Sequence, residues 1–212
     1  MTTALLQTTY FGPIQWYQKL YRYDHSMIEQ YDSFQKQTYR NRCMIATANG
    51  TQVLTVPVEH SSQSFVPNSQ LVKDLHISDH NQWRRVHWNA LQSAYSESPF
   101  FEYYADDLHP FFEQKYDFLV DFNEAIRQKV CELIDIHPNV EYTTKYQPSA
   151  LNPQPSTLTD FRDVINAKHP QPDEGFTPKE YWQVFQHKYG FLPNLSILDL
   201  LFNMGPESVF FL

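Results

Sequence analysis

Asn49-Gly50 is the feature that most narrows the folds open to this 212-residue chain. Asn-Gly supplies the two positive φ angles of a type I′ turn, and it stands between runs rich in Val, Thr, Ile and Tyr. A β-hairpin is therefore expected over roughly residues 38–59. A two-residue loop pairs Ala48 with Thr51, Ile45 with Leu54, Cys43 with Val56 and Asn41 with Val58. Alternation then turns Asn41, Cys43, Ile45, Leu54, Val56 and Val58 toward the core, and Arg40 with Arg42 toward the other face. Pro57 has no N–H to donate, so its strand reads as an edge on that side.

Around the hairpin the pattern is mixed. Residues 4–8 read as a short strand, Gly12-Pro13 as a turn, and Ile14, Tyr17, Leu20 and Tyr21 follow helical spacing before a second strand at Met27-Ile28. That is the opening of a βαβ unit, whose helix N-terminus is suited to an anion. Val72 to Ile77 reads as another strand. Asp79 with Gln82 forms a capping-box pattern ahead of a stripe of Trp83, His87, Ala90, Leu91 and Ala94. Ser98-Pro99 starts a further helix that Pro110 interrupts, and Asp117 is expected to cap a longer helix with a stripe from Phe118 to Leu133. A Pro-rich connector at 147–156 leads to a docked C-terminal helical segment, 157–212. There Thr177 to Glu180 and Ser196 to Asp199 are capping boxes, and Gly205-Pro206 ends the last helix. The fold class is α/β or α+β: a mixed sheet with an N-terminal βαβ-like unit and a hairpin, followed by several helices, in a single domain spanning 1–212.

The composition of 16 Phe, 14 Tyr and 4 Trp gives enough ring surface for a substantial core. A formal charge of −8 disfavours nucleic acid, which draws basic proteins through counterion release. Cys43 and Cys131 offer no disulfide framework. The N-terminus lacks the pattern of a signal peptide, and no apolar run reaches membrane-spanning length, so a cytoplasmic protein without an integral membrane segment is expected. With five glycines and no P-loop, G-x-G-x-x-G or G-x-S-x-G, no cofactor is expected. His76 and His80 straddle a strand end and a helix cap, while His60, His109 and His137 stand alone, so no metal site is expected. Oligomeric state is left open.

Each polar candidate has a structural and a functional reading. His87, one turn after Trp83, is either a core histidine hydrogen-bonded to backbone or to Tyr95, or a general base on a pocket wall. Asn41, facing inward, either braces a loop or lines a ligand pocket. Arg40 and Arg42, about 6–7 Å apart by strand rise, either pair with Glu59 or clamp a phosphate or carboxylate with help from Lys19. Asp121 suits a helix N-terminus and Asn123 flanks the same stripe. Gln183 sits among aromatics without a capping role. Asp199 reads as a cap, and Cys43, turned into the core, reads as inert.

Several stretches together resemble the WbqC-like family: Gln7-Thr-Thr-Tyr10-Phe-Gly12-Pro13 through Lys19, Gln37 to Arg42, Leu54 to Val58, Trp83 to His87, Ser93-Ala-Tyr95, Asp121-Phe-Asn123, Tyr181-Trp-Gln183, and Leu195 to Pro206. The resemblance implies a link to O-antigen or other surface-polysaccharide biosynthesis. This chain departs from the family's His-Gln-Pro-x-Tyr opening, reading Leu6-Gln7-Thr8-Thr9-Tyr10, so a role for that histidine does not carry over. The leading expectation is a transferase acting on a sugar or nucleotide-sugar, by acyl or aminoacyl transfer to an amino sugar. His87 would be its base, and Tyr10, Lys19, Arg40, Asn41, Arg42, Tyr95, Asp121, Asn123 and Gln183 would line its ligand. The alternatives are a non-catalytic binding or assembly protein with an aromatic patch at Phe100, Phe101, Tyr103 and Tyr104, and a nucleotidyltransferase-like enzyme. The histidines of the H-x-G-H motif of that last class are absent.

Overall fold

Thr3–Gln7 forms a strand (β1) that is buried without a break from Ala4, as expected of a strand covered on both faces of a parallel sheet. A helix at Ile14–Arg22 (α1) returns the chain to His25–Glu29 (β2), which pairs parallel to β1 with Leu6 opposite Ile28. The βαβ opening is therefore present. The computed structural model describes residues 1–59, 70–148 and 157–212. His60 and the connector from residue 149 to 156 lie outside the described residues.

The hairpin follows as Arg42–Thr47 (β3) and Gly50–Thr55 (β4). Its turn differs from expectation. Thr47 pairs with Gly50, so Ala48-Asn49 make the loop, and Gly50 takes the positive φ (102°) where Asn49 does not. This is the pattern of a type I turn followed by a glycine bulge rather than a type I′ turn. Cys43 consequently faces Leu54 instead of Val56. Because the partner moves by two residues, the faces are kept, and Cys43, Ile45, Leu54 and Val56 are all buried. The pairing of Arg40 with Arg42 on one outer face is not kept. The strand begins only at Arg42, and the turn before it drives Arg40 inward to 3% exposure.

Helices follow at Trp83–Tyr95 (α2), Phe101–Leu108 (α3) and Leu119–Leu133 (α4). The Asp79 box does not form. Asn81 and Gln82 take positive φ, and Asp79 instead joins Arg84 and Lys115. Asp117 does not cap α4, whose N-cap is Phe118. The expected strand from Val72 to Ile77 is a short 3-10 turn over Val72–Asp74, followed by single bridges from His76 to Phe118 and from Ile77 to Val58.

Val140–Tyr142 (β5) and Leu158–Asp160 (β6) complete a four-stranded sheet of order β5-β2-β1-β6, parallel throughout. Among the described residues the sheets are thus two: this parallel one and the antiparallel hairpin. The C-terminal segment opens with a strand, not a helix. Thr177 to Glu180 is not helical, leaving Gln186–Tyr189 (α5) and Ile197–Met204 (α6). Ser196 does cap α6, its Oγ accepting from Leu198 N at 3.3 Å. The result is a single compact α/β domain.

The C-terminal segment docks for a definite reason. Every residue of α1 from Ile14 to Leu20 is buried, including Gln15, Gln18 and Lys19, whose polar groups must find partners. Asp173 serves two of them, lying 2.6 Å from Lys19 Nζ and accepting from Gln15 Nε2 at 2.8 Å, and Gln18 Oε1 accepts from Lys19 Nζ at 3.1 Å. The first amides of α1 are taken as well: Ile14 N donates to Leu195 O and Gln15 N to Asn194 Oδ1. The helix end expected to hold an anion is therefore filled by the chain's own residues. Among the described residues, no helix is long and apolar enough to cross a membrane.

Gly205 turns the chain out of α6 at φ 54°, where an added Cβ would lie 2.6 Å from the Phe100 ring. Gly205→Ala is expected to cost about 2–4 kcal/mol of stability. The measurement is the urea midpoint at unchanged slope, and a midpoint matching the parent would show that Phe100 yields freely.

Candidate functional site

In parallel α/β sheets, ligands bind beyond the carboxyl ends of the strands. Here three adjacent strands each end on a polar residue: β1 on Gln7, β2 on Glu29 and β6 on Asp160. A cavity of about 340 Å³ lies among the segments that leave these ends, lined by residues including Tyr31, Asp32, Arg40, Tyr146, Arg162 and Asp163. That volume falls at the lower end of the range for small-molecule sites, about 300–1,000 Å³.

Its two guanidiniums are held from below. Arg162 forms a two-pronged pair with Asp160, Nε to Oδ1 at 3.0 Å and Nη2 to Oδ2 at 2.6 Å, and its Nη1 reaches Glu29 at 3.4 Å. Glu29, fully buried, also accepts from Thr143 Oγ1 and from the backbone N–H groups of Tyr31 and Gln147. Arg40 donates Nη1 to Gln7 Oε1 at 2.6 Å and Nη2 to Asp32 Oδ2. Asn123 on α4 fixes the loop by donating Nδ2 to Arg40 O and to Thr8 Oγ1.

Asp32 is the singular group. One carboxylate oxygen is tied to Arg40; the other, Oδ1, is buried and has no hydrogen-bond partner among the described residues. Burial raises its pKa, with Arg40 opposing. Two carboxylates on the cavity wall (Asp32, Asp163) and two beneath Arg162 (Glu29, Asp160) outnumber the two guanidiniums, so the surplus charge is negative. Such a cavity suits hydroxyl and amino groups better than a phosphate.

The expected site residues are divided among several places. Only Arg40 lines this cavity. His87 is 4% exposed and its Nδ1 lies 2.9 Å from Tyr10 OH, inside a ring cluster with Trp83 and Phe122. Lys19 is spent on Asp173. Asn41 braces the hairpin through Nδ2 to Val56 O. Tyr95 and Gln183 converge elsewhere, on Asp199: Tyr95 OH donates to Oδ1 at 2.8 Å, Tyr181 OH to Oδ2 at 2.6 Å and Gln183 Nε2 to Oδ2 at 2.9 Å. Asp199 is thus not the helix cap its position suggested but a buried carboxylate, its pKa raised by burial against these donors. Asp121 is exposed in the first turn of α4. Arg42 lines a second, smaller cavity of about 190 Å³, with Gln37, Tyr39, Cys43, Met44, Val53, Ala167 and Lys168. Burial pushes the Cys43 thiol above its usual range. The aromatic patch does not assemble, because Phe101 and Tyr104 are core and Tyr103 is exposed. Asp32, Arg162 and Tyr31 escaped the residue-by-residue reading. The strand-end rule applied to Gln7 and Glu29 would have pointed to the loops that hold them. Among the described residues, no group of three or more His, Cys, Asp or Glu is placed to hold a metal ion.

Fold and site together define a parallel-sheet α/β protein with a polar cavity at its strand ends. The profile of the WbqC-like protein family matches residues 7–170, and the chain belongs to that family. Every residue that lines the two cavities falls inside this match. The chain is also similar to the uncharacterised protein Rv1507c of Mycobacterium tuberculosis, with 26% identity over 226 residues that cover 97% of this chain and 94% of that protein. No solved structure matches the chain.

His87 carries a testable pH dependence. Burial lowers its pKa to about 4, opposed by a hydrogen bond to the Thr55 backbone. From about pH 6.5 down to about pH 4 the unfolded chain takes up a proton that the folded chain refuses, so stability falls with pH across that window by about 3 kcal/mol. Above about pH 6.5 both states are neutral and the effect is absent. Urea titrations should show the parent losing about 3 kcal/mol more than His87→Gln between about pH 7 and about pH 4. Parallel profiles would mean that protons reach the imidazole without unfolding.

Proposed function

We propose that the polar cavity binds the amino-sugar portion of a surface-polysaccharide precursor, and that Asp32 is the base for acyl transfer to the sugar's amine. The observation that carries this reading is the free Asp32 Oδ1. Asp32 lines the cavity, its Oδ2 is held by Arg40, and its buried Oδ1 has no hydrogen-bond partner among the described residues, which leaves that oxygen able to accept a proton as a general base does. Burial that raises the Asp32 pKa makes it a better proton acceptor than an exposed carboxylate.

In the transfer, the neutral amine forms the new C–N bond to the acyl carbonyl and gives its proton to Asp32 Oδ1. The bond from that carbonyl to the donor's leaving group breaks, and its electron pair departs with the leaving group. Arg40 holds Asp32 in place, while Tyr31 and Tyr146, each with a cation over one ring face, add aromatic surface to the cavity wall. Family membership supports the polysaccharide setting through the resemblance set out above; the carboxylate surplus supports an amine-bearing acceptor.

The test titrates purified protein with a panel of nucleotide-linked sugars, each amino sugar beside its hydroxyl counterpart, and follows amide formation by mass spectrometry with an activated acyl donor. Amino sugars are expected to bind more tightly. Asp32→Asn is expected to slow transfer by about a hundredfold or more, with its folded state checked by circular dichroism. Equal binding of both sugar series, or transfer by Asp32→Asn at the parent rate, would overturn the reading.

A further inference from the structure

The smaller cavity contains the one feature that the polar cavity lacks: a cation with no counter-charge. Arg40 and Arg162 are each neutralised by a carboxylate, and Lys19 is paired with Asp173. Arg42 is not. It is partly buried, its Nε is shut off from solvent with no hydrogen-bond partner among the described residues, and burial displaces its pKa downward. A guanidinium stays charged at neutral pH through such a displacement. Leaving a partly desolvated guanidinium unpaired is costly, since its donors have given up water without gaining an acceptor.

The surroundings of Arg42 are specific. Lys168 adds a second positive charge, while Tyr39, Met44, Val53 and Ala167 provide an apolar wall. Gln37, on the same wall, holds φ at 64°, a conformation that non-glycine residues seldom adopt and that gathers at ligand-binding sites. At about 190 Å³, the space is below the about 300–1,000 Å³ of whole-ligand sites, so it takes one group rather than an entire nucleotide.

We propose that this cavity is an anion-binding subsite that takes a single oxyanion group, carboxylate or phosphate, attached to a small apolar body. Arg42 binds the oxyanion through its fork of donors, Lys168 adds charge from the rim, and the Tyr39–Met44–Val53 wall covers the apolar part. The inference does not depend on the amino-sugar reading. The two cavities are nevertheless neighbours along the chain, since both are walled by the stretches 31–44 and 162–168.

The experiment uses the full chain and three probes that share one ring: benzoate, phenyl phosphate and the neutral benzamide. Binding is followed by NMR of methyl-labelled Met44, Val53 and Ala167. Benzoate or phenyl phosphate is expected to bind saturably and shift these methyls, and their ratio tells a carboxylate site from a phosphate site. Benzamide is expected to bind at least about tenfold more weakly. Arg42→Gln should weaken the anion by about tenfold or more, and Lys168→Gln by less. Asp32→Asn should leave anion binding as in the parent, which separates this site from the polar cavity. The Arg42 side chain makes no hydrogen bond or ion pair among the described residues that its loss would break, and an unchanged melting temperature for Arg42→Gln confirms that the variant is folded. No saturable binding of either anion, benzamide binding as tightly, parental affinity in Arg42→Gln, or equal loss in Asp32→Asn would each overturn the proposal.

Discussion

Arg40 and Arg162 are charged groups held at 3% and 6% exposure, and a buried charge is tolerated only when acceptors replace its water. The parallel sheet supplies those acceptors. Gln7, Glu29 and Asp160 are the last residues of β1, β2 and β6, so strand pairing itself brings three polar side chains to one edge. The guanidiniums lie across that edge, and the loops carrying them must follow. Gln7 serves both sides at once, accepting from Arg40 and donating Nε2 to Ile165 O at 2.6 Å. The polar cavity is the space left above this network, so its shape is inherited from the sheet rather than from the loops alone.

The same dependence explains what could be read from the sequence. The strand–helix–strand opening, the long helix from Leu119 and the inward face of the hairpin rest on local periodicity, and all are present. The hairpin turn was misread because Asn-Gly fits two turn types, and the choice lies in which residue takes the positive φ. Two of the three capping boxes, and the Asp117 N-cap, failed for a different reason. Asp79 found Arg84 and Lys115, Phe118 rather than Asp117 took the N-cap, and Thr177 to Glu180 follow a non-helical path. Local capping is worth about 1 kcal/mol, which tertiary contacts readily exceed.

The site was less legible than the fold, and separation along the chain is the cause. Arg40 meets Gln7 across 33 residues and Arg162 meets Glu29 across 133. No spacing rule within a window reaches such pairs. Arg40 was singled out by its type and its nearness to Arg42, yet its true partner, Asp32, lies in the loop after β2 and carries no motif. The reverse error occurred at Asp199, where a local capping rule hid a carboxylate that gathers Tyr95, Tyr181 and Gln183 from three parts of the chain.

The segment Tyr39–Arg42 shows how a few anchors divide neighbouring residues between two chemical settings. Tyr39 and Arg42 face the small cavity, Arg40 the polar one, and Asn41 neither. A regular strand would have put Arg40 and Arg42 on one side. The turn that separates them is pinned twice: Asn41 donates to Val56 O on the hairpin side, and Asn123 donates to Arg40 O from α4. Asn41 and Asn123 thus act on both cavities by fixing the backbone between them, although neither is needed to touch a ligand. The consequence is a strict sorting of charge. The arginine that turns inward is consumed by Gln7 and Asp32, and the one that stays on the strand has no counter-charge among the described residues. Two arginines separated by one residue therefore serve opposite ends, one orienting a carboxylate and the other awaiting an anion.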